Sequence, residues 1–151
     1  RDIVSTYIYP NTLKTLCVTR AQLKCALERS AEYFAIDADG KLKVSESFLT
    51  PIEQHFNYDY FSGIEAAFDI RRSVGDRVVS IKYKGEELSG DKRLTLCMNN
   101  YRASGAGGYD IYRQCQTVRE LPTEIAELII AYVDKHRNIT VDKHKWLKLI
   151  Y

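Results

Sequence analysis

The 151-residue sequence lacks the local motifs of the common enzyme classes. It contains no G-x-S-x-G, no Gly-Lys-Ser/Thr phosphate loop and no H-E-x-x-H. Its three His are widely spaced and its four Cys form no C-x-x-C, so neither a metal centre nor a catalytic triad is indicated. These absences make a self-contained enzyme hard to assemble and favour a binding role.

The sequence also lacks an excess of either charge and a long apolar run. Its 22 basic and 20 acidic residues are interleaved and leave a net charge of +2, which gives no electrostatic reason to expect polymeric nucleic acid as a partner. No apolar run is long enough for a membrane helix, so we expect no membrane contact from this segment. With 45% apolar residues, positions 1–151 are expected to form a single domain with a core.

The four Cys are predicted to be buried free thiols rather than metal ligands. Cys17 and Cys97 fall in predicted strands and Cys25 in a predicted helix, where small apolar side chains pack. A disulfide that involves any of these or Cys115 stays open.

The most unusual stretch is Cys97–Tyr112, which reads CMNNYRASGAGGYDIY. It follows a β-prone run and contains three Gly between two aromatic residues (Gly105, Gly107, Gly108, Tyr101 and Tyr109). Such a density of Gly indicates positive φ or a bare backbone that something approaches closely, although an ordinary strand-to-strand loop is an alternative. A nucleobase could stack on Tyr101, and a sandwich would need a second ring from elsewhere in the chain.

Hydrophobic periodicity and turn residues predict an α+β fold with mixed or antiparallel sheets packed with helices. A capping box at Thr19 and Gln22 predicts a helix from about Arg20 to Tyr33, and a second helix is expected from Pro122 until Asn138. Asp37–Gly40 is interpreted as a turn and residues 41–51 as a surface excursion. Strands are expected at 3–9 (or a helical turn), 13–18, 63–70, 77–83, 93–98 and 146–150.

Two stretches carry a resemblance to a known family. Asn100–Tyr109 (NYRASGAGGY) and Tyr7–Leu13 (YIYPNTL), the latter followed by the predicted helix, resemble the two signatures of the C-terminal domain of the 5'-nucleotidase family. The Tyr-Pro-Asn form and the Tyr of the glycine loop are most similar to the 2',3'-cyclic-nucleotide 2'-phosphodiesterase/3'-nucleotidase branch. Gly107 stands where the nucleotidases proper carry Asp, which also favours that branch.

The resemblance implies a 5'-nucleotidase C-terminal-like domain that binds a nucleotide or nucleoside substrate. In that family an upstream metallophosphoesterase domain holds two divalent metal ions and hydrolyses the phosphoester, so no catalytic or metal-binding residue is expected here. The chain begins at Arg1 without Met and is interpreted as N-terminally truncated, with the catalytic domain upstream. The resemblance also implies an extracytoplasmic protein, either periplasmic, secreted or attached to the cell wall.

Carried over residue by residue, the resemblance implies that Tyr9 and Tyr101 sandwich the base and that Asn11 is a hydrogen-bonding neighbour. The loop positions implied in substrate binding are Ser104, Gly105, Gly107 and Gly108. A non-enzymatic module that binds a sugar or a protein is the main alternative, and a complete small hydrolase is a further one. The sequence leaves open the preferred base, the phosphate position, wall anchoring and the oligomeric state.

Overall fold

A computed structural model describes residues 7–151, which divide into two compact units. Unit 1 comprises the described part of Arg1–Val18 together with Leu94–Lys143, and unit 2 comprises Thr19–Arg93 and His144–Tyr151. Most of the strand or helical turn predicted at 3–9 lies outside the described residues.

The elements within the described residues are mixed and strand-rich, and the predicted α+β class is confirmed. The helices are α1 (Arg20–Ala31), α2 (Asn100–Ala103) and α3 (Ile125–Lys135). The strands are β1 (Thr12–Thr19), β2 (Phe34–Ile36), β3 (Leu42–Val44), β4 (Glu65–Asp69), β5 (Val78–Tyr83), β6 (Glu86–Glu87), β7 (Arg93–Asn99), β8 (Gln116–Glu124) and β9 (Leu147–Ile150). None of the helices in the described part is long and apolar enough to cross a membrane.

Helix α1 begins where its capping box predicts. The Thr19 hydroxyl accepts a hydrogen bond from the Gln22 backbone N–H (3.2 Å), and the Gln22 side-chain oxygen accepts one from the Thr19 N–H (2.9 Å). Leu23 and Leu27, one turn apart, are buried. The helix ends at Ala31, two residues earlier than predicted.

Unit 2 contains a four-stranded sheet in the order β6-β5-β4-β9. Strands β4 and β5 are antiparallel, whereas β9 runs parallel to β4 and pairs Leu147 with Ala66. The inward side chains Phe68, Val78 and Ile81 are buried, and α1 packs against β5. The strands predicted at 63–70, 77–83 and 146–150 are confirmed with slightly shorter bounds.

A buried carboxylate joins α1 to the start of β5. The two oxygens of Glu28 accept hydrogen bonds from the backbone N–H groups of Arg77 and Val78, both at 2.9 Å. The Arg77 guanidinium donates in turn to the carbonyl of Ala31 (3.0 Å), the last residue of α1, and to that of Phe34 (2.7 Å), three residues later. The positive charge therefore lies at the negative end of the helix dipole.

Unit 1 contains the sheet β7-β1-β8, in which β1 and β8 are antiparallel and Leu13 pairs with Leu121. The helix start predicted at Pro122 is wrong, because Pro122 lies in β8 and α3 begins at Ile125. The ladder to β1 continues to Glu124, and the Ile125 N–H donates to the Asn11 carbonyl (2.8 Å). Proline is tolerated in a strand where its missing N–H is not needed. The helix also ends at Lys135, before the predicted stop at Asn138.

The surface excursion predicted over residues 41–51 is partly wrong. Strand β3 forms a hairpin with β2, and Phe48 is fully buried. The Phe48 ring packs edge-on against Tyr33 at 5.2 Å and lies 4.4 Å below the Arg29 guanidinium. The turn predicted at Asp37 is confirmed, since its carboxylate accepts from the N–H groups of Asp39 and Lys41.

The cysteines are free thiols, as predicted, but none of them is fully buried. Cys25 and Cys97 are exposed, because Cys25 lies on the solvent side of α1 and Cys97 on an outward position of β7. Cys17 and Cys115 are half-buried, and burial, followed by the proximity of Cys17, raises the pKa of the Cys115 thiol.

Candidate functional site

The glycine-rich segment begins with a helical turn rather than an open loop. The Asn99 side chain at the end of β7 accepts a hydrogen bond from the Arg102 N–H (2.7 Å) and so caps α2. Tyr101 lies on this single turn, with 46% of its surface exposed. The ring is therefore presented from a capped backbone, which limits its freedom before any ligand binds.

Asn100 connects this helical turn to the start of β1. Its side-chain oxygen accepts a hydrogen bond from the Thr12 N–H at 3.1 Å, although the two residues are 88 positions apart. Just before Thr12, the Asn11 N–H donates to the Tyr9 carbonyl (2.8 Å), and the Asn11 amide donates to the Tyr7 hydroxyl (3.3 Å). The structure thus brings the segment with Tyr9 and Asn11 to the turn that carries Tyr101.

The tyrosines of this region comprise two exposed rings, two buried ones and the half-buried Tyr7. Tyr9 is 64% exposed, so it and Tyr101 both present aromatic surface to solvent. Tyr109 is fully buried and stacks on Tyr112, with ring centroids 5.7 Å apart and planes 5° from parallel. Tyr109 is therefore a core residue, and of the two tyrosines that frame the loop Tyr101 is the one with a face available.

The prediction that the loop glycines need positive φ is confirmed. Gly105, Gly107 and Gly108 have φ of 87°, 75° and 89°. A Cβ on Gly105 would also lie 2.8 Å from Nε of Arg113, whose guanidinium donates from that atom to the Ser104 carbonyl (2.9 Å). The loop is consequently shaped by backbone conformation and by the hydrogen bond from Arg113, whose side chain is itself exposed.

Sequence reasoning missed Arg102 and Asn100 as the residues that hold the loop in place. Arg102 is buried, lies 4.4 Å over the Tyr109 ring and donates to the Ala106 carbonyl. The Ser104 hydroxyl donates to the Tyr101 carbonyl (2.7 Å), so this predicted contact residue also supports the loop. Their position in the sequence could have indicated this role, because both lie within Asn100–Tyr109, the stretch that resembles a family signature.

Within the described residues, this region presents exposed aromatic rings and a glycine-rich backbone. Among residues 7–151, no three His, Cys, Asp or Glu side chains come together in a way that could hold a metal ion. What the site presents is two exposed phenol rings, an asparagine and a glycine-rich backbone. This set suits stacking and hydrogen bonding to a flat, polar ligand.

Comparisons with known proteins agree with the fold and with the resemblance. A protein of Staphylococcus aureus assigned as a 5'-nucleotidase, solved in complex with alpha-ketoglutarate, superposes with a TM-score of 0.91 and 37% identity over 99% of this chain and 29% of that one. A 5'-nucleotidase precursor from Thermus thermophilus has the same fold, with a TM-score of 0.70 and 20% identity over 98% of this chain and 27% of that one. A 2',3'-cyclic-nucleotide 2'-phosphodiesterase/3'-nucleotidase of Haemophilus influenzae is 30% identical over 70% of this chain and 18% of its own length.

The chain thus spans less than a third of the length of each of these relatives. The sequence model described as 5'-nucleotidase, C-terminal domain, matches residues 1–114, which include both predicted signatures. With this match, the predicted resemblance is confirmed, and the chain belongs to the 5'-nucleotidase C-terminal domain family.

Proposed function

We propose that this chain supplies the base-binding surface of a metal-dependent nucleotide hydrolase of the 2',3'-cyclic-nucleotide phosphodiesterase/3'-nucleotidase type. Tyr9 and Tyr101 stack on the two faces of the base, and Asn11 donates or accepts a hydrogen bond at its edge. Ser104, Gly105, Gly107 and Gly108 form the loop beside it. The name of the Haemophilus influenzae relative supports the substrate class.

The observation that carries this proposal is the hydrogen bond from the Thr12 N–H to the Asn100 side chain. It holds two segments that are far apart in sequence in one region, and each segment carries an exposed tyrosine. Exposure of an aromatic ring to water is unfavourable. Two exposed rings on segments joined by a hydrogen bond are suitably placed to stack on a flat ligand.

Hydrolysis in this proposal belongs to a metallophosphoesterase domain upstream in the same polypeptide, where two divalent metal ions would polarise the phosphoryl group and activate water. The residues of this chain bind and orient the nucleotide so that its phosphate can reach that centre. An extracytoplasmic location is part of the proposal, and a precursor form of the Thermus thermophilus relative supports it.

Calorimetric titration of 3'-AMP into the intact protein that carries this chain tests the stacking role. Stacking contributes about 1–3 kcal/mol per base, so Tyr101→Ala should raise Kd and KM about 5- to 150-fold. Tyr101→Phe should keep most of the affinity, because it retains the ring.

Tyr132→Ala is the matched control, since Tyr132 is similarly exposed (55%) but lies on α3. The stacking role is wrong if Tyr101→Ala binds 3'-AMP as tightly as the wild type. Tight binding of a free sugar without any response to 3'-AMP would instead favour the non-enzymatic alternative.

A further inference from the structure

The outer face of the unit 2 sheet carries an open groove of about 290 Å³. Strand alternation places Glu65 and Ala67 of β4 on this face, opposite the buried side chains. Ala67 pairs with Ser80 on one side and with Lys148 on the other. The short side chains of Ala67 and Ser80 form the floor of the groove, and the longer side chains beside them form its rim.

The rim is rich in ammonium groups. Lys82, Lys145 and Lys148 all line the groove, and none of them takes part in an ion pair with another described residue. Glu65 is the one acidic residue that lines it, and its carboxylate lies 3.3 Å from Nε2 of His144. Glu65 and Glu87 are the register partners of Lys82 on the two neighbouring strands, so the three ammonium groups outnumber the nearby carboxylates by one.

The groove also has an aromatic wall. Trp146, the one Trp of the sequence, lines it and lies 4.1 Å from His144 by ring centroids. Its backbone N–H donates to the Tyr60 hydroxyl (3.2 Å), and its carbonyl accepts from Ala66 (2.8 Å), so the backbone beneath the indole is fixed. Glu87 accepts a hydrogen bond from the hydroxyl of Ser80, which lines the groove, so this carboxylate lies at the groove edge.

We propose that this groove binds a small planar anion, a heteroaromatic ring that carries a phosphate or carboxylate group. The ring lies along Trp146, and the anionic group is bound by Lys82 and Lys148, with Lys145 at the rim. The volume is at the lower end of the range for small-molecule sites and fits a ligand of about nucleotide size. This site consists of unit 2 residues and is separate in sequence from Tyr9 and Tyr101.

Fluorescence of Trp146 in the intact protein tests the proposal, with AMP as the probe and Trp146→Phe to identify the signal. The Tyr101→Ala background weakens binding at the proposed base site, so that quenching at lower AMP concentrations reports on the groove. We expect saturable quenching by AMP, with adenosine and inorganic phosphate each binding more weakly because each offers half of the required chemistry. Removing one ammonium about 4 Å from the anion should raise Kd about fivefold, and added salt should weaken binding.

Lys82→Ala and Lys148→Ala are the test variants, and Lys43→Ala on β3 of the same unit is the matched control. A raised Kd in the two test variants but not in the control supports the proposal. It is overturned if AMP does not quench Trp146, or if quenching is the same in all three lysine variants. It is also overturned if a poly-glutamate peptide binds the groove more tightly than AMP, since the occupant would then be an acidic protein surface.

Discussion

Replacement of Glu28 by Ala should open the junction between α1 and β5. The carboxylate accepts two buried backbone hydrogen bonds, from Arg77 and Val78, and lies 3.7 Å from the Lys24 ammonium. A hydrogen bond to a charged group contributes about 1.5–3 kcal/mol, so the loss of two costs about 3–6 kcal/mol. That is a large part of the roughly 5–15 kcal/mol by which a domain is stable. Glu28→Gln should cost less than Glu28→Ala, because its oxygen can still accept one of the two hydrogen bonds. The second bond is lost in both variants, since the Gln amide N–H would face the other backbone donor.

Hydrogen–deuterium exchange at Arg77 and Val78 in the intact protein measures this opening locally. Since 1.4 kcal/mol is a factor of ten, Glu28→Ala should accelerate exchange at these two amides by about 100-fold or more. Glu32→Ala is the control, because the half-exposed ion pair of Glu32 with Arg29 should contribute at most about 1 kcal/mol. Unchanged exchange at Arg77 and Val78 in Glu28→Ala would refute the reasoning.

Two further substitutions test a charge pair and a backbone constraint. Hydrogen bonds from the Arg71 guanidinium, both at 2.8 Å, lower the pKa of Asp69 to about 2. The stability that this pair contributes is therefore present at pH values above 3.8, the pKa of Asp69 in the unfolded chain, and is lost as pH falls through about 2. NMR titration of the Asp69 carboxyl should show a midpoint at about 2, and Arg71→Ala should move that midpoint toward 3.8. Gly105→Ala should lower Tm more than Gly75→Ala. Both glycines have φ near 90°, but a Cβ on Gly105 would lie 3.3 Å from the backbone Cα of Asp110 and would also displace the exposed Arg113 side chain, whereas a Cβ on Gly75 would meet no atom within 4 Å. Equal losses of Tm would contradict this.

Local signals account for the parts of the fold that the sequence predicts correctly. The capping box at Thr19 and Gln22 is a contact over three residues, so it predicts the start of α1. Pro122 failed as a helix start because its place is decided by the ladder between β1 and β8, whose partners are about 110 residues apart. Phe48 failed as a surface residue for the same reason, since its burial depends on Tyr33 and Arg29.

The candidate site follows the same division. The glycine spacing predicts the positive φ values at 105, 107 and 108, because that requirement is local. The exposure of Tyr101 and the burial of Tyr109 depend on packing that no sequence motif encodes. At the level of sequence, only the family resemblance connects Tyr9 with Tyr101. The groove beside Trp146 could not be predicted from the sequence, because it requires the register of three strands, one of which comes from the far end of the chain.

The parallel pairing of Ala66 with Leu147 has a consequence for how the chain can be made and cut. Each unit is assembled from two separate stretches, in the alternating order unit 1, unit 2, unit 1, unit 2. On the ribosome, the unit 2 sheet lacks β9 until about 80 further residues have emerged after β4, a long loop closure of the kind that slows folding. Neither unit is one continuous stretch of sequence, so a circular permutation or a split of the chain would have to keep both stretches of each unit intact.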